Sequence, residues 1–113
     1  MTFSMKAGDT RRLYVTIKDK DGQPIDLTEA TVRWSASRGT LEKFSRIPIL
    51  QKTMGSGIEA VALFDGEFMV ELAPEDTTGL NGSYYFEVEV TDAFGNVATP
   101  VYDTFVVAKD LIK

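Results

Sequence analysis

The residues best suited to bind a metal ion lie in one acidic segment. Asp19, Asp21 and Asp26 are closely spaced, and hard cations such as Ca²⁺ take several carboxylates from a single loop. The segment lacks the further loop oxygens and the terminal glutamate of an EF-hand. Because the Asp-Gly dipeptide at 21–22 is also ordinary hairpin-turn chemistry, we expect a turn here and no metal site.

Glu87 and Glu89 form a second candidate pair, since two neighbouring carboxylates can act as a general acid and a general base. Both alternate with apolar residues along one predicted strand, which places them on its solvent face beside Arg33. A cross-strand ion pair, worth about 0.2–1 kcal/mol, therefore explains them better than catalysis.

The remaining composition excludes further classes of site. The chain has no cysteine and no histidine, so the usual zinc ligands and the Ser-His and Cys-His catalytic pairs are missing. The sequence also contains no glycine-rich phosphate loop. We expect a protein that is not an enzyme and has no catalytic, metal-binding or cofactor-binding residues.

With 113 residues, 43% of them hydrophobic and 26% charged, the chain has the size and composition of one domain covering residues 1–113. No apolar stretch approaches the roughly 18 residues of a membrane span, and residues 1–7 do not resemble a secretory signal. We expect a soluble cytoplasmic protein that does not bind membranes.

Charge is distributed unevenly along the chain, whose net charge is -5. Residues 1–56 contain ten Lys or Arg and six Asp or Glu, whereas residues 57–113 contain two and eleven. The acidic balance argues against binding to nucleic acid. Two explanations of the asymmetry are cross-strand charge pairing within one fold and a bipolar surface on which copies stack.

Alternation of apolar and polar residues, broken by Gly, Asp and Pro, predicts strands throughout the chain. The expected strands are 13–18, 31–36, 49–53, 83–92 and 102–108. A type I′ turn at Asp65-Gly66 is expected to join strands 58–64 and 67–72. Residues 37–48 are expected to form a long loop, and 74–82 one helical turn that crosses between sheets.

The placement of three aromatic residues on the predicted strands resembles that of the immunoglobulin-like fold, which is a sandwich of two sheets. Trp34 lies on an early strand, and Tyr84 and Phe86 lie near the start of a late one. Immunoglobulin domains have a tryptophan on strand C and a tyrosine at the strand F corner that bonds to the preceding backbone, here between Asp76 and Leu80. The resemblance implies an all-β, immunoglobulin-like antiparallel β-sandwich of about seven strands, with Phe86 against Trp34. Another small β-barrel with the same core residues is the alternative.

A longer resemblance begins at the Gly-Asp-Thr of residues 8–10. It continues through Asp-Gly-Gln-Pro at 21–24 and Asp-Leu-Thr-Glu-Ala-Thr-Val at 26–32, where Glu29 replaces a glycine. These motifs resemble the N-terminal immunoglobulin-like domain of the baseplate upper protein family of tailed bacteriophages and prophages.

This second resemblance implies a non-enzymatic structural component of a bacteriophage or prophage virion, in the tail, baseplate, neck or head surface. Such a protein is made in the bacterial cytoplasm and then enters the virion. Its implied partners are other virion proteins and copies of itself. An immunoglobulin-like bacterial surface or carbohydrate-binding module is the alternative.

The candidate contact surface is the segment 44–50. It places Phe44, Ile47, Ile49 and Leu50 together with Arg46 in an irregular stretch, where apolar side chains either cover the core or remain exposed for a partner. An aromatic and aliphatic cluster with a charge at its rim is typical of an interface. An edge strand that covers one end of the sandwich is the alternative.

Overall fold

The computed structural model describes residues 2–112 and contains eight strands, one 3₁₀ turn and one short helix. The strands are β1 (Phe3–Lys6), β2 (Arg11–Thr16), β3 (Thr31–Gly39), β4 (Phe44–Met54), β5 (Gly57–Ala62), β6 (Glu67–Leu72), β7 (Gly82–Thr91) and β8 (Val97–Ala108). The 3₁₀ turn is Leu63–Asp65, and the helix α1 is Pro74–Thr77. The all-β class that the alternation predicts is confirmed.

The strands form one mixed sheet, in the order β1-β8-β7-β3-β4-β5-β6-β2, which folds over itself into two layers. The larger layer contains β1, β8, β7, β3 and β4, and the smaller one contains β5, β6 and β2. The two layers are joined where β4 pairs with β5, and this pairing has only two residue pairs, Thr53 with Gly57 and Met54 with Ile58. These pairs and the β1–β8 pairs are parallel, so the sandwich has eight strands, two of its pairings parallel, where about seven antiparallel strands are expected.

One hydrophobic core lies between the layers. Alternate residues point inward from both of them, including Leu13, Val15, Val32, Trp34, Ile58, Phe68, Val70, Leu72, Tyr84, Phe86, Val88, Phe105 and Val107. The ring of Trp34 lies 5.9 Å from that of Phe86, and Phe105 contacts both rings. The predicted packing of Trp34 against Phe86 is confirmed.

Tyr84 anchors the start of β7 to the turn after α1. Its hydroxyl accepts a hydrogen bond from the N–H of Asn81 at 2.9 Å and lies 3.4 Å from the carbonyl oxygen of the same residue. The resemblance predicts that the Tyr84 hydroxyl bonds to the backbone between Asp76 and Leu80. The observed partner, Asn81, is one residue beyond that range. The reason is that the N–H of Leu80 already bonds to the carbonyl of Thr77 at 2.9 Å.

The β5–β6 connection differs from the expected type I′ turn, which needs positive φ at both central residues. Among the described residues only glycines have positive φ, and Gly66 is at 72°. Leu63–Asp65 instead forms a 3₁₀ turn, closed by a bond from the N–H of Gly66 to the carbonyl of Leu63 at 3.0 Å. A Cβ at Gly66 would lie 2.5 Å from the carbonyl oxygen of Ile17, so glycine lets this turn pack closely on the β2–β3 loop.

Cross-strand and cross-layer ion pairs account for part of the uneven charge. The pairs are Arg12 with Glu71 at 3.1 Å, Arg33 with Glu89 at 3.2 Å and Lys52 with Asp76 at 2.6 Å. Each joins a cation of residues 1–56 to a carboxylate of residues 57–113. The expected use of Glu89 in an ion pair with Arg33 is confirmed.

Candidate contact site on β4

The five residues of the predicted contact surface lie on β4 but do not form one patch. Phe44, Arg46 and Ile47 are exposed, whereas Ile49 and Leu50 are half-buried and pack against the core. β4 therefore combines both alternatives, since its first half is an exposed surface and its second half covers the core. The expected loop at 37–48 is wrong, because β3 continues to Gly39 and β4 begins at Phe44 and runs through Pro48.

The pairing of β4 with β3 is irregular at these exposed residues. Ala36 pairs with Leu50, Ser37 with Pro48 and Gly39 with Phe44, so β4 bulges on both sides of Pro48. Proline has no N–H to donate, and within the bulge the Ser45 hydroxyl accepts a bond from the N–H of Ile47 at 3.1 Å. A bulged edge resists strand addition by another molecule. A partner that binds this part of β4 therefore has to contact its side chains rather than pair with its backbone.

Gly39 allows β4 to turn back closely along β3. Its φ is 118°, and a Cβ at this position would lie 2.4 Å from the carbonyl oxygen of Lys43. Thr40 and Lys43 close the turn with backbone bonds of 2.9 and 3.1 Å. The N–H of Leu41 also donates to Thr104 Oγ1 at 2.8 Å, which fastens the turn to β8.

Phe44 reaches across β3 and stacks on Tyr85 of β7. The ring centroids are 3.8 Å apart and the planes differ by 13°. The residues of β3 that pair with Phe44 and Tyr85 are the small residues Gly39 and Ser37. Tyr85 lies two residues before Glu87, on the face that alternation assigns to solvent. It is only 6% exposed, because Phe44 covers it. Its hydroxyl donates to Glu87 Oε2 at 2.7 Å. Burial, followed by this bond and the charge of Glu87, raises the pKa of Tyr85, so the hydroxyl keeps its proton.

A groove of about 400 Å³ opens beside the stacked rings, and Ser35, Ser37, Arg46 and Glu87 line part of it. The Ser37 hydroxyl is buried and has no hydrogen-bond partner within the described residues, a situation that costs about 1–3 kcal/mol. The groove offers hydroxyl, guanidinium, carboxylate and aromatic groups for recognition. Alternation assigns Glu87 to the solvent face, and Ser37 falls in the expected loop at 37–48. No sequence signal marks the long-range contact between Phe44 and Tyr85.

The acidic segment forms the expected turn. Asp19 Oδ1 accepts bonds from the N–H of Asp21 at 2.8 Å and of Gln23 at 3.0 Å, so this carboxylate shapes the turn. Asp26 accepts bonds from the hydroxyl and the N–H of Thr28, which lower the pKa of Asp26. In residues 2–112 no group of three or more His, Cys, Asp or Glu residues could hold a metal ion.

Comparison with known proteins assigns the chain to no family. No protein-family model matches it, and no curated protein is significantly similar to it. Within the described part of the chain, neither helical segment is long and apolar enough to cross a membrane.

Proposed function

We propose that the protein is a non-enzymatic structural and assembly component of a bacteriophage or prophage virion, acting through contacts with other virion proteins and with copies of itself. The observation that carries this proposal is an exposed surface on β4, formed by Phe44, Arg46 and Ile47, which we call the β4 patch. The protein is made in the bacterial cytoplasm and enters the virion by docking through this patch.

The strand order supports the immunoglobulin-like resemblance on which the proposal rests. Immunoglobulin-like sandwiches pair strands B, E and D in one sheet and strands C, F and G in the other. If β2 is strand B, the smaller layer has the order B-E-D, and β3, β7 and β8 have the order C-F-G. β4 then corresponds to the additional strand C′, with Trp34 on strand C and Tyr84 at the strand F corner.

The β4 patch has the composition of a protein interface. Ile47 is 76% exposed and Phe44 is 40% exposed, although both residue types are usually buried. Because Phe44 is stacked on Tyr85, it presents a fixed ring, and fixed groups lose little conformational entropy on binding. Arg46 adds a cation beside them, and aromatic and arginine side chains dominate many binding hot spots.

The variant Ile47→Asp tests the proposal. The tagged chain is co-expressed with the proteins encoded beside its gene, and complexes are isolated through the tag. We expect the unmodified chain to copurify with a tail, neck or head protein and the variant to bind it at least about tenfold more weakly. Its melting temperature should not change, because exposed substitutions alter stability by only about 0.5 kcal/mol.

The control is Tyr14→Asp, since Tyr14 is 68% exposed on β2 and lies outside the β4 patch. Ile49→Asp is unsuitable as a test, because Ile49 packs against the core and its replacement would unfold the protein. Failure of the unmodified chain to bind any neighbouring virion protein, or equal binding by both variants, contradicts the proposal.

A carbohydrate-binding module is the second candidate, and the groove beside Phe44 favours it. Sugars are commonly held by an aromatic ring together with hydroxyl, guanidinium and carboxylate groups, all of which line this groove. Titration with a panel of bacterial surface oligosaccharides should then shift the amide NMR signals of Ser37 and Glu87, and Phe44→Ala should abolish the shifts. Unchanged spectra across the panel would eliminate this candidate.

A further inference from the structure

The groove beside the stacked rings has a floor and two walls of different chemistry. β3 forms the floor, and β4 and β7 flank it on either side. Ser35 and Ser37 line the groove from β3, and Ser35 pairs directly with Glu87 of β7. Arg46 lines the groove from β4. A ligand in the groove therefore lies between a cationic wall and an anionic wall.

The Ser37 hydroxyl in the floor has hydrogen-bonding capacity that the fold does not use. The residue is only 6% exposed, and its hydroxyl has no partner within residues 2–112. A buried hydroxyl without a partner destabilises a fold, and an unsatisfied group of this kind calls for a functional explanation. Because Ser37 lines the groove, a ligand that enters the groove can supply the missing partner.

The charged groups on the two walls are also free to bind a ligand. Arg46 is exposed and has no ion-pair partner in the part of the chain that the structure describes. Glu87 accepts the Tyr85 hydroxyl with Oε2, which leaves Oε1 able to accept a second bond. The two charges line one groove but do not pair with each other. The groove thus holds an unused cation and an unused carboxylate oxygen on opposite sides.

A secondary amide matches this arrangement of groups. Its N–H and C=O point in opposite directions across the planar trans bond, so it can donate to one wall while it accepts from the other. The N–H faces Glu87, and the carbonyl oxygen faces Arg46 and the Ser37 hydroxyl. A ligand with a single charge would meet a like charge on one of the two walls, which disfavours it.

The aromatic residues favour a sugar as the carrier of this amide. Phe44 stacks on Tyr85 but is still 40% exposed, so its ring has area left against which the C–H face of a sugar ring can pack. An acetamido group on such a ring supplies the amide together with a methyl group, and Pro48 adds apolar lining for that methyl. The volume of about 400 Å³ is within the range of small-ligand sites.

We propose that the groove binds N-acetylated amino sugars, with the acetamido group between Glu87 and Arg46 and the sugar ring against Phe44. Glu87 Oε1 accepts the amide N–H, and the Ser37 hydroxyl and Arg46 donate to the carbonyl oxygen. The inference rests on the second candidate function, because it names the class of sugar that this groove takes. Ile47 does not line the groove, so the docking test with Ile47→Asp is separate from it.

Two trisaccharides that differ in one substituent test the inference. Tri-N-acetylchitotriose carries an acetamido group on every ring, whereas cellotriose has a hydroxyl group at each of the same positions on the same backbone of linked rings. Isothermal titration calorimetry measures both affinities, and the amide NMR signals of Ser37 and Glu87 report whether the groove is the site. We expect the acetylated trisaccharide to bind at least about tenfold more tightly than cellotriose.

The variant Ser37→Ala separates binding from stability. It removes a hydroxyl without a partner, so the melting temperature should not fall, while the acetylated trisaccharide should bind at least about tenfold more weakly. Glu87→Gln should weaken the same sugar, because it removes the charge that strengthens the bond from the amide N–H. Neither variant should change the binding of cellotriose. Ser83→Ala is the matched control, since Ser83 is exposed on β7 and lies outside the groove.

The outcomes distinguish this inference from the function on which it rests. Equal affinity for the two trisaccharides would overturn the inference but leave sugar binding in the groove as a candidate function. Failure of the acetylated trisaccharide to bind, or undiminished binding by Ser37→Ala, would also overturn it. Unchanged spectra with the whole panel of oligosaccharides would eliminate both.

Discussion

Tyr84 and Tyr85 are adjacent on β7 and point to opposite faces of the sheet. Both are buried, at 1% and 6% exposed, but their hydroxyls have different partners. Tyr84 accepts a bond from the backbone N–H of Asn81 in the turn that precedes β7. Tyr85 bonds to Glu87, which is half-buried and can bond to water instead. The two hydroxyls therefore differ in their contribution to stability.

Tyr84→Phe should lower the free energy of unfolding by about 1–2 kcal/mol, because it leaves the N–H of Asn81 without its acceptor. Tyr85→Phe is the matched control and should cost less than about 1 kcal/mol, since it keeps the stack with Phe44. Urea denaturation of both variants measures the difference. Equal losses of stability would contradict the role assigned to Tyr84.

Asp103 should contribute to stability in a pH-dependent way. Thr2 Oγ1 donates to Asp103 Oδ2 at 2.8 Å and the N–H of Thr104 donates to Oδ1 at 2.7 Å. These bonds lower the pKa of Asp103 from 3.8 to about 2. A carboxylate with a lowered pKa in the folded state stabilises the fold above its unfolded pKa, and this contribution disappears as the pH falls toward the folded value.

Thr2→Ala should therefore raise the pKa of Asp103, and the variant should lose less stability than the unmodified chain between about pH 4 and pH 2. NMR titration of the side-chain carboxyl carbons measures the pKa directly. Asp26 is the internal control, because its partner is Thr28 and its titration should not change. An unchanged titration of Asp103 would show that Thr2 has no such effect.

At the scale of secondary-structure elements, the two halves of β4 differ in pairing and in exposure. Its second half pairs regularly with β3 at Arg33–Thr53, Trp34–Lys52 and Ser35–Gln51, and there Leu50 and Ile49 cover the core. Its first half is interrupted by bulges, and there Phe44 and Ile47 are exposed. The tight turn at Gly39 pairs Phe44 with Gly39. This pairing determines where the bulged part of β4 begins.

Gly39→Ala should destabilise the protein by about 2–4 kcal/mol, since the new Cβ adds backbone strain and collides with the carbonyl of Lys43. Gly22→Ala is the control, because Gly22 also has positive φ, at 79°, but has nothing within 4 Å of the added Cβ. That variant should lose only about 1 kcal/mol. Thermal melts of the two variants should differ clearly, and similar melting temperatures would contradict the predicted collision.

At the scale of the whole molecule, the core couples two layers that the backbone joins only weakly. Two residue pairs link β4 to β5, whereas the buried side chains of both layers form one cluster. Trp34 lies within that cluster at 1% exposed and stacks on Phe86. The layers should therefore unfold together, as single domains of this size usually do.

Fluorescence of Trp34, the only tryptophan, should follow the same urea transition as far-UV circular dichroism, because one probe reports the core and the other the strands of both layers. Phe86→Ala should shift both curves equally and cost about 3–5 kcal/mol. Two separate midpoints would show that the layers unfold independently.

Local alternation was sufficient to predict the strands that have one buried face. Burial of every second residue is a direct consequence of strand geometry, so the core-facing positions of β2, β3 and β7 could be predicted from the sequence. The packing of Trp34 on Phe86 also followed, because the two residues lie on the inward faces of strands that the resemblance pairs. The helical turn at α1 was predicted from Pro74 and the glycines after it.

Tertiary structure alone decided the features that depend on residues distant along the chain. Pro48 and the bulges obscured the alternation of β4, and Tyr85 is buried only because Phe44, from another strand, crosses β3 to cover it. The depression that Phe64 and Phe94 line together likewise requires the layers to fold over each other. Local pattern specifies which face of a strand is apolar, whereas the surfaces on which function depends are formed by packing between elements, which local pattern does not encode.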